Sequence, residues 1–162
     1  MNQPLASLTS SVTWQCARLP ELTALQLARI YRARQQVFSV EQDCVYLDAD
    51  EADEQSYHLA AWSPAHAEPL AYARLVDPGV KYAEPSMGRV ITTAPARGTG
   101  LGRELVRRVL ALSDEVFAGQ GIRISAQSRL QRFYNEVGFV AVGDDYMEDG
   151  IPHTEMLRRS AA

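Results

Sequence analysis

The chain has 162 residues, 46% of them hydrophobic and 22% charged, and a formal net charge of −4. That length suits one domain with a sizeable core, and the acidic balance excludes the basic footprint of a nucleic-acid binder. Cys16 and Cys44 form no CxxC and have no histidine at ligand spacing, which argues against a metal site or a disulfide framework and for a reducing cytoplasm.

Residues 1–11 are small and polar and are expected to form a flexible leader to a domain over residues 12–159. They lack the basic and apolar regions of a signal peptide, and no apolar run approaches membrane-spanning length. The stretch VTWQCAR, Val12 to Arg18, predicts a first strand. Pro20 opens a helical region in which Leu27, Ile30, Tyr31, Arg34 and Phe38 recur at spacings of three and four. An acidic, irregular stretch runs from Glu41 to Gln55, and YHLAAWS and PLAYARLV then predict an antiparallel hairpin.

The stretch SMGRVIT predicts a fourth strand, followed by the turn RGTGLG. After that turn, Leu101, Leu105, Val109, Leu112 and Val116 form a core-facing helical stripe that ends near Gly119. IRIS is a short strand. SRLQRFYNEVGF carries a capping-box signature in Ser128 and Gln131, a stripe of Leu130, Phe133, Tyr134 and Val137, and Gly138 at a left-handed C-cap. FVAVGD and TEMLRR predict two last strands around the loop DYMEDGIPH. The order implies a mixed α/β (α+β) domain with a largely antiparallel sheet and one parallel βαβ unit from Met87 to Ser125, crossing right-handed.

Gly98, Gly100 and Gly102, just before a helix, expose backbone N–H groups at the helix's positive end, where an anion is favoured. A nucleotide P-loop needs Lys-Ser/Thr after the last glycine, and Arg103-Glu104 stands there instead. A dinucleotide fingerprint needs a third glycine where Arg103 stands, together with repeated βαβ units. The remaining pattern, Arg/Gln-x-x-Gly-x-Gly/Ala, is matched by Arg97, Gly100 and Gly102.

With this turn between a strand and a long amphipathic helix, and with FYNEVGF following at suitable separation, the chain resembles the GCN5-related N-acetyltransferase (GNAT) superfamily. RQQVFSVEQDCVY, AYARL, GRV, AQSRLQRFY and EDGIPH extend the resemblance to its ElaA-like branch, from about Arg34 to Met156. Ser39 departs from the apolar residue usual there, with only local repacking expected. The resemblance implies a six- to seven-stranded sheet flanked by helices, with acetyl-CoA as cosubstrate and no metal. It places the pyrophosphate at Arg97, Gly98, Thr99, Gly100, Leu101 and Gly102, and the pantetheine along Val90, Ile91 and Thr92. A backbone N–H near Val90 or Ile91 would polarise the thioester carbonyl, and Tyr134 would protonate the leaving thiolate.

Glu41, His58 and His153 are the candidates for a base or an acceptor-site group. Arg34 interrupts an apolar helical face, so it either pairs with a carboxylate among Asp48 to Glu54 or clamps a carboxylate-bearing acceptor. The acidic run is either a solvated loop or an attractor for a cationic amine. The expected reaction is direct acetyl transfer to a primary amine of a small molecule or peptide, in a ternary complex. A non-catalytic acyl-CoA-binding module and an acyl-homoserine-lactone synthase are the rival readings. Edge strands near the C-terminus allow pairing in a homodimer.

Overall fold

The computed structural model describes residues 11–160; apart from Ser11, the expected leader lies outside the described residues. Strand β1 (Thr13–Arg18) leads through a 3-10 turn to helix α1 (Ala24–Gln35). Thr23 caps α1 by accepting from the Gln26 amide at 3.1 Å, satisfying one of the orphan donors of the first turn. The helix continues as a π-helical turn, Gln36–Glu41, whose wider winding buries both Val37 and Phe38. Ser39 is exposed on this turn, so it displaces nothing in the core.

After a 3-10 turn at Glu51–Gln55 come β2 (Ser56–Trp62), β3 (Ala71–Val76) and β4 (Ser86–Thr92). These strands form an antiparallel sheet in the order β1-β2-β3-β4. All six residues of β3 are buried because both faces of the sheet are covered. Ala71, Ala73 and Leu75 face the main core with Leu105, Val106 and Val109, whereas Tyr72 alternates to the core under α1 with Ile30, Ala33 and Phe38.

Helix α2 (Leu101–Val116) follows the glycine turn and buries Leu101, Leu105 and Val109 of its expected stripe. Next come β5 (Ile122–Gln127), a 3-10 turn and the short helix α3 (Gln131–Asn135). The expected capping box is not formed, because the Ser128 hydroxyl instead pairs with Thr154 Oγ1 at 2.9 Å. Gly138 takes the left-handed conformation predicted for it, φ +99°.

The stretch read as the loop DYMEDGIPH is a hairpin. β7 (Tyr146–Glu148) pairs with the start of β8 (Ile151–Arg158) through a two-residue turn at Asp149 and Gly150, φ +52° and +74°. Asp-Gly supports two successive positive φ angles and sets the strand register. β5, β8 and β6 (Val140–Ala141) complete a second sheet, with β7 on β8.

Among the described residues eight strands form two four-stranded sheets, in place of the single six- to seven-stranded sheet expected. β4 and β5 meet where they begin, with the Arg123 amide donating to the Pro85 carbonyl at 3.0 Å and the Arg123 guanidinium on Glu84 at 2.9 Å. Among the described residues no strand ladder joins β4 to β5, so the parallel pairing expected between Met87 and Ser125 is limited to this contact. No described helix is long and apolar enough to cross a membrane.

Candidate active site

A cavity of about 610 Å³ opens between the two sheets, bounded by residues 86–90 of β4, Ser125 and Gln127 of β5, Tyr134 of α3, and Glu148 and His153 of the β7–β8 hairpin. Its β4 wall is irregular. Gly88 pairs with Arg74 and Ile91 with Tyr72, and between them Arg89 and Val90 have no partner on β3. Arg89 takes φ +51°, so the chain carries a β-bulge in the cavity wall. The left-handed region costs an ordinary residue about 1–2 kcal/mol, which other contacts must offset.

Those contacts form a closed ring of three arginines alternating with three aspartates. Arg34 of α1 pairs with Asp48 (2.8 Å) and Asp53 (2.8 Å), and Arg74 of β3 with Asp53 (2.9 Å) and Asp50 (2.5 Å). Arg89 closes the ring on Asp50 (3.3 Å) and Asp48 (3.0 Å). Its Nε lies off the hydrogen-bonding line to Asp48 Oδ1, so that contact is ionic, and the N–H donates to the Asp48 carbonyl at 3.3 Å. Arg89 also lies 5.0 Å from the ring centre of Tyr46. Burial pushes Asp53 up, but hydrogen bonds and charge from Arg34 and Arg74 outweigh it and hold the carboxyl below its ordinary value.

This ring decides between the two readings of Arg34 and corrects two other expectations. Arg34 is fully buried and all its donors point at Asp48, Asp53 and Tyr72, so it is an internal ion-pair partner with no reach to an acceptor. The acidic run divides: Asp48, Asp50 and Asp53 are bound by arginines, whereas Asp43, Glu51 and Glu54 remain exposed. His58 is 1% exposed, with Nδ1 2.7 Å from the Tyr72 hydroxyl and Nε2 2.8 Å from the Asp53 carbonyl. The carbonyl can only accept, so Nε2 carries the hydrogen and Nδ1 accepts from Tyr72. Burial lowers the pKa of His58, and the ring is a neutral structural element with no free nitrogen for a substrate proton.

His153 is placed differently. Its Nδ1 lies 2.7 Å from the Ile151 carbonyl, which fixes the hydrogen there and makes Nε2 the unprotonated nitrogen of the neutral imidazole. Nε2 stands 3.3 Å from Glu148 Oε2, and the imidazole stacks on Tyr146. Glu148 also accepts from Ser125 Oγ at 3.1 Å. Tyr134 lines the same cavity between Phe133 and Phe139, and burial raises its pKa to about 12, so the phenol keeps its proton near neutrality. Cys44 also lines the cavity, and burial pushes its thiol up, away from nucleophilic thiolate.

The glycine turn lies at the far end of β4. Gly98 and Gly100 have φ +76° and +84°, and a Cβ on either would meet open space. Gly100 is the N-cap of α2 and offers no side chain to the amides of Gly102 and Arg103. A Cβ on Gly102 would stand 3.2 Å from Thr92 Cγ2, which seats the helix start against the end of β4. The Thr99 hydroxyl accepts from the Leu101 amide at 3.3 Å. Arg97 donates to the Thr92 carbonyl and pairs with Glu41, so this base candidate sits beside the turn and does not line the cavity. Ile91 is buried against α1, leaving its backbone as the part a ligand could meet.

Residues 32–159 match the family model described as an acetyltransferase (GNAT) domain. The chain belongs to the GNAT acetyltransferase family. It is 34% identical to the protein ElaA of Escherichia coli over 91% of this chain and 96% of that one. The ElaA crystal structure superposes with a TM-score of 0.85, covering 91% and 99% of the two chains at 33% identity. An acyl-CoA N-acyltransferase from Pseudomonas aeruginosa superposes with a TM-score of 0.86, at 39% identity over 91% of this chain and 99% of that one. The mixed α/β fold and the ElaA-like branch are thus as the motifs predict.

The sequence reading missed the Arg–Asp ring, Glu148 and Tyr146. Gly88 within a strand was a signal for the bulge, and Asp-Gly between Tyr146 and His153 was a signal for the hairpin. Among the described residues, no group of three or more His, Cys, Asp or Glu could hold a metal ion.

Proposed function

We propose that this protein transfers an acetyl group from acetyl-CoA directly to a primary amine, with both substrates bound together. The observation that carries this reading is that β4 joins an open, left-handed glycine turn at one end to an unpaired bulge in the cavity wall. The turn fits a pyrophosphate: no Cβ stands over Gly98 or Gly100, and the amides of Gly102 and Arg103 have no internal cap. Each charge-assisted N–H bond there contributes about 1.5–3 kcal/mol, and the helix dipole about 0.3–1 kcal/mol more. Bound acetyl-CoA supplies the activated acyl thioester.

The protein's own groups divide the proton work. The Val90 amide, at the point where the β3–β4 register shifts, is the donor that stabilises charge on the acyl oxygen. His153 Nε2 takes the proton of the incoming ammonium, with the Glu148 carboxylate beside it to balance the charge. Neutralising a lysine-like amine at pH 7 costs about 4.6 kcal/mol without such help. The Tyr134 hydroxyl then gives its proton to the departing sulfur, and the second proton shed by the acylated nitrogen restores the phenol. Cys44 forms no acyl-enzyme in this scheme.

Release of free CoA thiol with a panel of primary amines tests the reading, with Tyr134→Phe and His153→Gln as companions. Amine-dependent release that falls about 10²-fold in either variant supports it. A protein that binds CoA but releases none with any amine is the non-catalytic binding module instead.

A further inference from the structure

The bulge occupant is unexpected. Glycine or asparagine would enter the left-handed region more cheaply than arginine, yet Arg89 holds φ +51° between Gly88 and Val90, both on the cavity wall. The guanidinium leaves the strand for the acidic loop, meeting Asp48 Oδ1, the Asp48 carbonyl and Asp50 Oδ2 within 3.3 Å. Asp48 and Asp50 are themselves fixed by Arg34 and Arg74, from α1 and β3. A planar fork held from two sides restrains the backbone that carries it.

We propose that Arg89 is a positioning residue: its clamp on Asp48 and Asp50 holds the β4 bulge and so fixes the Val90 amide in the place where the acyl oxygen reacts. This rests on the acyl-transfer reading. It adds that the aim of a backbone donor on β4 is set by side chains on another segment. Arg89 acts on the reaction through Val90, and Asp48 and Asp50 act through Arg89. The buried ring thereby has a catalytic consequence through geometry alone.

The test has a kinetic arm and a structural arm. In Arg89→Ala, kcat for CoA release should fall 10- to 100-fold while KM for acetyl-CoA stays within about twofold, since a displaced donor weakens the transition state and leaves the glycine turn intact. Arg89→Lys, which retains charge without the fork, should recover part of the loss. In Asp50→Asn, where Arg89 itself is unchanged, the three-bond HN–Hα coupling of residue 89 should move from the left-handed value towards that of extended strand. Wild-type kcat in folded Arg89→Ala overturns the proposal, as does an unchanged coupling in both Asp50→Asn and Asp48→Asn. If the wild type releases no CoA with any amine, the acyl-transfer reading falls and takes the catalytic half of the proposal with it. The coupling then still decides whether the clamp holds the bulge.

Discussion

Two sites along β4 solve opposite electrostatic problems with different materials. At the Thr92 end, the glycine turn removes side chains, so that backbone dipoles at the start of α2 present a positive site to whatever binds. At the Arg89 bulge in mid-strand, six charged side chains from α1, the acidic loop, β3 and β4 neutralise one another in a closed ring. The turn is open and has little of its own to lose. The ring is buried, and each member depends on two others. Mutations should therefore act on binding at the first site and on folding and geometry at the second.

Removing one ring member is the severest way to break that contrast. Asp53→Ala removes the carboxylate that Arg34 and Arg74 share, leaves three arginines to two aspartates in a buried ring, and should destabilise the fold by about 3–5 kcal/mol in a denaturant titration. Tyr134→Phe should lower turnover about 10²-fold, or about 2.7 kcal/mol, with the melting temperature nearly unchanged.

Acid should reach the ring before it reaches the turn. Asp50 and Asp53 are held below the ordinary aspartate value because arginine hydrogen bonds and charges outweigh burial. The stability they contribute is present above about pH 3.9 and is lost as pH falls through their folded values. Burial lowers His58 in the folded state, so the unfolded chain takes that proton first, and stability also declines as pH drops below about 6.5. Melting temperatures between pH 7 and pH 3 should fall in these two stages. A flat profile from pH 7 to pH 5 would contradict the neutral, buried His58.

The smallest effect is expected beside the turn itself. Arg103 pairs with Glu136 at 2.7 Å, and both side chains are more than 40% exposed. Arg103→Ala should change stability by no more than about 0.5 kcal/mol, since the turn's work is done by its backbone.

The same contrast explains what the sequence disclosed. The glycine turn is local: Arg97, Gly100 and Gly102 lie within six residues, and their chemistry follows from conformation alone. Strands β2 to β5 and helix α2 were likewise legible, because each is a contiguous period of two or 3.6. The ring was not, because its members span Arg34 to Arg89 and meet only after four segments pack. Only the partner class of Arg34 could be inferred, from a charge on an apolar face. His58 and His153 both begin or lie in strands and look alike in sequence. What separates them is the second nitrogen, sealed by Tyr72 in one and set beside Glu148 in the cavity wall in the other.

Thermal unfolding with and without CoA, on the wild type and on Gly100→Val, tests the central claim most directly. At a hundredfold its Kd, CoA should stabilise the wild type by about 2.7 kcal/mol, a rise of roughly 5–10 °C for a chain of this size. Gly100→Val should fold and show no rise. No shift of the wild type at millimolar CoA, or an equal shift in the variant, would contradict the assignment of the glycine turn to the cosubstrate's pyrophosphate.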